Sequence, residues 1–170
     1  MSRLLFATLL ALAMPFAAAD VRELQWSDLI PPDAPPPPPP MAIHDMSQLA
    51  DALAAEAGPG AAQQSPAEPV VKELNGVQVK LPGYIVPLDM SEDGRVTEFL
   101  LVPYFGACIH VPPPPSNQIV HATSELGIKV NELYQPFWIE GPMAIEHTSS
   151  ELAEAGYSLE AQKIYLYELE

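Results

Sequence analysis

The sequence has little cysteine and little positive charge. Among its 170 residues there is one cysteine, Cys108, so no CxxC motif is present and a disulfide oxidoreductase is not expected. Seven lysines and arginines stand against 22 aspartates and glutamates, which gives a formal charge of −15. A chain this acidic repels nucleic acid and anionic surfaces, and it suits cationic partners or metal ions.

Several common catalytic signatures are also absent. The sequence has no GxSxG, HExxH or P-loop pattern. We interpret the acidic residues near the end of the chain as a solvated face and not as a paired-carboxylate site; they are Glu151, Glu154, Glu160, Glu168 and Glu170. The sequence therefore does not indicate an enzyme.

The first 19 residues are typical of a cleavable signal peptide. Arg3 precedes an uncharged run from Leu4 to Ala19, and small residues occupy positions 17–19. A membrane-spanning helix needs about 20 apolar residues, and Pro15 interrupts this run. We expect export to the periplasm with cleavage near Ala19, no membrane span after cleavage and, without a cysteine at that point, no lipid anchor.

Prolines divide the rest of the chain. Residues 20–69 are predicted to form an arm and linker, in which Pro35–Pro40 favours a stiff polyproline II rod. Met46–Ala57 is prone to form a short helix with a weak apolar stripe, and Gly58-Pro59-Gly60 ends it. Trp26 and Leu29, near the start of the arm, either cover an edge of the folded domain or belong to a partner-binding peptide.

Residues 70–170 are predicted to form one β domain. The alternation of apolar residues changes phase at Pro82-Gly83, which predicts a long first strand bent at the glycine. Asp93-Gly94 marks a hairpin turn, and Phe99–Val102 indicates a strand covered on both sides. Three further strands are predicted over 118–123, 135–145 and 162–169, together with a short helix over 149–155.

About five strands, the first of them long and bent, favour a small antiparallel Greek-key barrel resembling an OB-fold. An open antiparallel sandwich is the alternative. A parallel sheet is not expected, because no helical crossovers of sufficient length separate the strands.

The most distinctive segment is PYFGACIHVPPPPSNQ, residues 103–118. Four consecutive prolines cannot pair as a central strand, so the segment is predicted to be a loop with a rigid exit. Together with KLPGYIVPLD and ELQWSDLIP, it resembles an uncharacterised family of bacterial exported proteins, a domain of unknown function. The resemblance covers most of the mature chain, and it implies periplasmic proteins or lipoproteins often encoded near export or metal-related transport systems.

Cys108 and His110 lie two positions apart, so on an extended backbone their side chains project to one side. A thiolate and an imidazole are suitable ligands for zinc or copper, and His121 is a candidate third ligand, with His44 and His147 less supported. A buried structural cysteine is nevertheless the favoured interpretation of Cys108, because free cysteine often behaves as a small hydrophobe. A redox or nucleophilic role is the third interpretation of Cys108.

Two functions remain. The preferred hypothesis is a periplasmic binding or adaptor protein, accessory to an envelope transport system, with partner contacts through the arm at Trp26 or the loop at Tyr104 and Phe105. The alternative is a protein that binds zinc or copper through Cys108 and His110. Although OB-type barrels often bind oligonucleotides or sugars, charge and compartment disfavour nucleic acid as a partner.

Overall fold

The computed structural model describes residues 20–34, 63, 65–109 and 111–168. In these ranges the chain forms β-strands and short 3₁₀ turns but no α-helix. The predicted signal peptide, polyproline rod and Met46–Ala57 helix lie outside them. The strands are β1 (Arg22–Glu23), β2 (Gln78–Met90), β3 (Arg95–Val102), β4 (Val120–Lys129), β5 (Phe137–Ala144), β6 (Thr148–Ser149), β7 (Glu154–Ala155), β8 (Tyr157–Glu160) and β9 (Lys163–Leu166). The 3₁₀ turns are Trp26–Leu29, Lys72–Leu74, Ser116–Gln118 and Val130–Glu132.

The prediction of a mainly β domain is confirmed, but the sheet is mixed and not purely antiparallel. The main sheet has the order β1-β2-β3-β4-β8-β5-β9, and β2 also pairs with β5. β1 runs parallel to β2 and β4 runs parallel to β8, while the other pairs in this sheet are antiparallel. Parallel pairing needs only a long connection. In this chain the connections are residues 24–77 and 130–156, and their described parts form 3₁₀ turns and short strands but no α-helix.

β2 serves two parts of the sheet, as the phase change at its glycine predicts. Residues 78–83 pair with β5, and the remainder of the strand pairs with β3. Gly83 lies at the transition, where an added Cβ atom would come 2.8 Å from the carbonyl oxygen of Val102. A glycine is therefore needed where the two pairings meet.

The main core includes the beginning of the predicted arm. Leu24 and Leu29 are fully buried and pack with the inner faces of the strands. The hydroxyl of Tyr157, itself fully buried, donates to the Leu29 carbonyl at 2.7 Å and accepts from the Val71 amide at 2.7 Å. Residues 20–34 are therefore packed into the β domain, because their two leucines complete its core.

The predicted helix over 149–155 is wrong, because this segment forms the β6–β7 hairpin. The hydroxyl of Ser150 donates to the Ala153 carbonyl at 2.8 Å and accepts from the Ala153 amide at 3.1 Å. A serine side chain that bonds to nearby backbone in this way stabilises a tight turn in competition with a helix.

A second, smaller core covers part of the outer face of the sheet. Val86, Leu100 and Val102 project away from the main core and pack against the chain after β3 and against β7. The other buried members are Ala107, Ile119, Ala153 and Ala155. Leu100 pairs with His121, and His121 pairs with Ser158. The outer face therefore continues from this second core to a row of polar residues.

No helix among the described residues has the length and apolar character needed to cross a membrane.

Candidate functional site

Residues 103–115, called here the docking loop, follow the end of β3, and the described part of the loop includes two left-handed residues. Gly106 has φ = 82° and Cys108 has φ = 65°. The Gly106 carbonyl accepts from the Ile109 amide at 3.3 Å and from the Val111 amide at 3.2 Å, which folds the loop back on itself. A left-handed cysteine costs roughly 1–2 kcal/mol, so the contacts of the loop must hold this conformation.

The exit of the loop is fixed by the side chain of Gln63. Its Nε2 donates to the Pro114 carbonyl at 2.8 Å and to the Glu154 carbonyl at 3.0 Å, and its Oε1 accepts from the Glu154 amide at 2.8 Å. The amide of Ser116, one residue beyond the loop, donates to the Ser65 carbonyl at 2.9 Å. These bonds tie the end of the loop to the β6–β7 hairpin and to the segment before β2.

One side of the docking loop is buried and the other is exposed and apolar. Ala107 is buried in the second core, where Cys108 packs beside it. The outward side chains are Tyr104, Phe105, Ile109 and Val111, which are 42%, 60%, 59% and 37% exposed. The ring of Phe105 packs edge-to-face against Tyr84, with 5.7 Å between centroids.

The apolar character of the loop is already visible in the sequence. No aspartate, glutamate, lysine or arginine occurs between Glu98 and Glu125. This uncharged run is the sequence signal that could have identified Ile109 and Val111 as part of the apolar surface. Sequence reasoning selected only Tyr104 and Phe105.

The thiol of Cys108 is half-buried, and burial raises its pKa to about 11. At neutral pH it is a protonated thiol and a poor nucleophile. The pKa of Tyr104 is also raised, mainly by burial and secondly by the nearby Cys108. His110, the predicted partner of Cys108 in a metal site, lies outside the described residues. Within the ranges that the structure describes, no group of three or more histidine, cysteine or acidic side chains is placed to hold a metal ion.

His121 lies on the outer face of β4. Its Nε2 is 2.8 Å from Oε1 of Glu98 on β3, and the imidazole side chain is 14% exposed. The structure therefore pairs His121 with a carboxylate and gives it no contact with Cys108 among the described hydrogen bonds. His147 is exposed, with its Nε2 3.5 Å from Oε2 of Glu154.

Trp26 packs against the main core. Its indole Nε1 donates to the Pro82 carbonyl at 2.7 Å, and its carbonyl accepts from the Gln118 side chain at 2.9 Å. The half-buried ring packs against core residues. Trp26 thus covers the fold, whereas Tyr104 and Phe105 are presented to solvent by the docking loop.

The matched family is described as a protein of unknown function, DUF3299, and its model covers residues 26–166. The chain belongs to this family, and its predicted resemblance to an uncharacterised family is confirmed. A crystal structure of a DUF3299 family protein from Pseudomonas aeruginosa PAO1, at 2.45 Å resolution, is 63% identical, with a TM-score of 0.77; the match covers 88% of this chain and 98% of that chain. No curated protein matches.

Proposed function

We propose that this member of the DUF3299 family is a periplasmic binding or adaptor protein, accessory to an envelope transport system, that binds a partner protein through its docking loop. The observation that carries the proposal is the exposure of Tyr104, Phe105, Ile109 and Val111 on a loop whose exit is clamped. The periplasmic location depends on the predicted signal peptide, and the link to transport depends on the family resemblance.

The loop has the properties of a binding surface. Aromatic residues are enriched at the centres of protein interfaces, where they supply much of the binding energy. A loop already held by hydrogen bonds loses little conformational entropy on binding. The exposed rings of Tyr104 and Phe105 on such a support therefore favour recognition of a partner.

The charges on and around the docking loop indicate which kind of partner surface it fits. The docking loop carries no aspartate, glutamate, lysine or arginine, and the neighbouring β6–β7 hairpin carries Glu151 and Glu154. Two copies of a chain with a charge of −15 repel each other, which disfavours self-association. The surface fits a partner with an apolar centre and a basic rim.

The strand pairings support the Greek-key barrel as the framework of this adaptor. β5, β2, β3 and β4 lie side by side in the spatial order 4-1-2-3 of a Greek key. β8 then pairs with both β4 and β5, so the pairings return to their starting strand. This arrangement supports an OB-type barrel with the docking loop on its outer side.

Zinc or copper binding by Cys108 and His110 is the alternative proposal. Its support is the placement of Cys108 at a left-handed position on a clamped loop, since unusual backbone conformations cluster at functional sites.

Site-specific photo-crosslinking in cells tests the adaptor proposal. A crosslinking residue at position 105 is expected to give a discrete protein adduct that Ile109→Asp abolishes, because a charge within the apolar surface must be desolvated on binding. The matched control is position 134, where Tyr134 is 70% exposed on the turn before β5. The same adducts at both positions, or an adduct that survives Ile109→Asp, would overturn the proposal.

A further inference from the structure

The surface around the docking loop combines aromatic rings with tyrosine hydroxyls that the fold does not use. Tyr84 of β2 lies beside Phe105, and Tyr104 precedes Phe105 in the loop. Among the described residues, the hydroxyls of Tyr157 and Tyr165 form hydrogen bonds within the fold. Those of Tyr84 and Tyr104 have no such partner in this part of the chain, so they can donate to a ligand that supplies acceptors.

The backbone of the loop exit limits how a peptide can bind. Pro112–Pro115 carry no N–H groups, whereas a peptide that adds a β-strand needs backbone donors as well as acceptors along the edge it joins. A helix satisfies its own backbone carbonyls and would offer none to the two tyrosine hydroxyls. A polyproline II segment has no internal hydrogen bonds, so its carbonyls are free to accept, and its proline rings pack on aromatic side chains.

The neighbouring hairpin gives the docking loop an acidic margin. Ala153 of the β6–β7 hairpin is buried with Ala107 of the loop in the second core, so the hairpin lies beside the loop. Glu151, in the turn of this hairpin, is exposed. Neither the loop nor the hairpin contains a lysine or an arginine. A peptide with a basic residue next to its prolines therefore complements this margin.

We propose that the docking loop binds a proline-rich segment of its partner protein, in the polyproline II conformation and flanked by lysine or arginine. This inference rests on the proposed adaptor function and names the kind of partner. The proline rings pack on Phe105 and Ile109, the carbonyls accept from the hydroxyls of Tyr84 and Tyr104, and the basic flank lies towards the β6–β7 hairpin. Since such a segment is already extended, it loses little conformational entropy on binding.

Fluorescence anisotropy of a labelled synthetic peptide tests the proposal on the purified chain. The peptide is a run of prolines with an arginine at each end. We expect it to bind about tenfold or more tightly than a peptide with alanines in place of the prolines, and than a proline peptide with glutamates at its ends. Binding of none of the three, or equal binding of the arginine-flanked peptide and either control peptide, would overturn the proposal.

Tyr104→Phe tests the hydroxyl contact without removing the aromatic ring. It is expected to weaken binding of the arginine-flanked proline peptide by about threefold or more, because one hydrogen bond to the peptide is lost. Tyr134→Phe is the matched control, since Tyr134 is 70% exposed on the turn before β5. An equal effect of the two substitutions would overturn the assigned contact.

The peptide titration and the crosslinking experiment fail independently. A crosslinked partner that Ile109→Asp abolishes, together with no binding of the proline peptide, would overturn the proline-rich segment and leave the adaptor proposal intact. Peptide binding that emerges only when Pro35–Pro40 is replaced by a glycine–serine linker would identify the chain's own prolines as the occupant. That result would overturn the assignment to a partner.

Discussion

At the scale of single residues, Cys108 combines features that distinguish it from an ordinary core cysteine. It is half-buried in the second core, yet it lies in a loop at a left-handed backbone position. The sequence favours a structural cysteine over a metal ligand, and a metal ligand over a reactive thiol. The raised pKa now argues against an activated nucleophile.

The reactivity of this thiol gives the first prediction. Because burial raises the pKa of Cys108 from 9.0 to about 11, its thiolate fraction at pH 8 falls roughly a hundredfold. We expect an aromatic disulfide reagent to modify the native protein at least that much more slowly than the urea-denatured protein. The rate should rise with pH until the pH passes about 11.

Equal rates in the native and denatured protein would contradict this account of Cys108. A chelator separates the remaining alternatives. If Cys108 binds zinc or copper, chelation accelerates modification, whereas an apolar structural thiol reacts at an unchanged rate.

At the scale of elements, the pattern of the sequence predicts the long strands better than the short ones. β2 and β5 follow from alternation over many residues. β8 has only four residues, Tyr157–Glu160, too few to stand out as a periodic pattern. The hairpin in place of a helix at 149–155 depends on bonds between Ser150 and nearby backbone, which helix-start signals do not reveal.

A substitution of Tyr157 tests how residues 20–34 are held against the sheet. Its hydroxyl bonds the Leu29 carbonyl and the Val71 amide inside the core. Tyr157→Phe leaves both backbone groups without this partner and is expected to lower the free energy of unfolding by about 2–4 kcal/mol. Urea denaturation measures the loss.

Tyr165→Phe is the matched control for this substitution. The Tyr165 hydroxyl bonds the Glu140 side chain at 2.6 Å, but the ring is 40% exposed. We expect the control to cost less than Tyr157→Phe, since solvent can replace its hydrogen bond. A larger loss in the control would contradict the role given to Tyr157.

At the scale of the whole molecule, composition predicts the acidic charge and the alternation of apolar residues predicts the β class, but neither predicts which residues lie on the outer face. The second core and the exposed side of the docking loop lie there. Thr123 and Glu160 are far apart in the chain, and only the strand register places them side by side. The sequence likewise gives no periodic signal that residues 20–34 join the core, because two buried leucines, Leu24 and Leu29, are too few to form a detectable period.

The central claim is that the docking loop binds a partner with an apolar centre and a basic rim. The most direct measurement uses the partner protein that the crosslinking identifies, purified on its own. Its affinity is measured for the wild-type chain and for the double variant Phe105→Ser with Ile109→Ser. The control replaces exposed apolar residues elsewhere, Leu126→Ser with Tyr134→Ser. We predict that the loop variant loses about tenfold or more in affinity, while the affinity of the control changes little. We also predict that the rate of association with the wild-type chain falls as the salt concentration rises. Equal affinities for the loop variant and the wild-type chain would contradict the account.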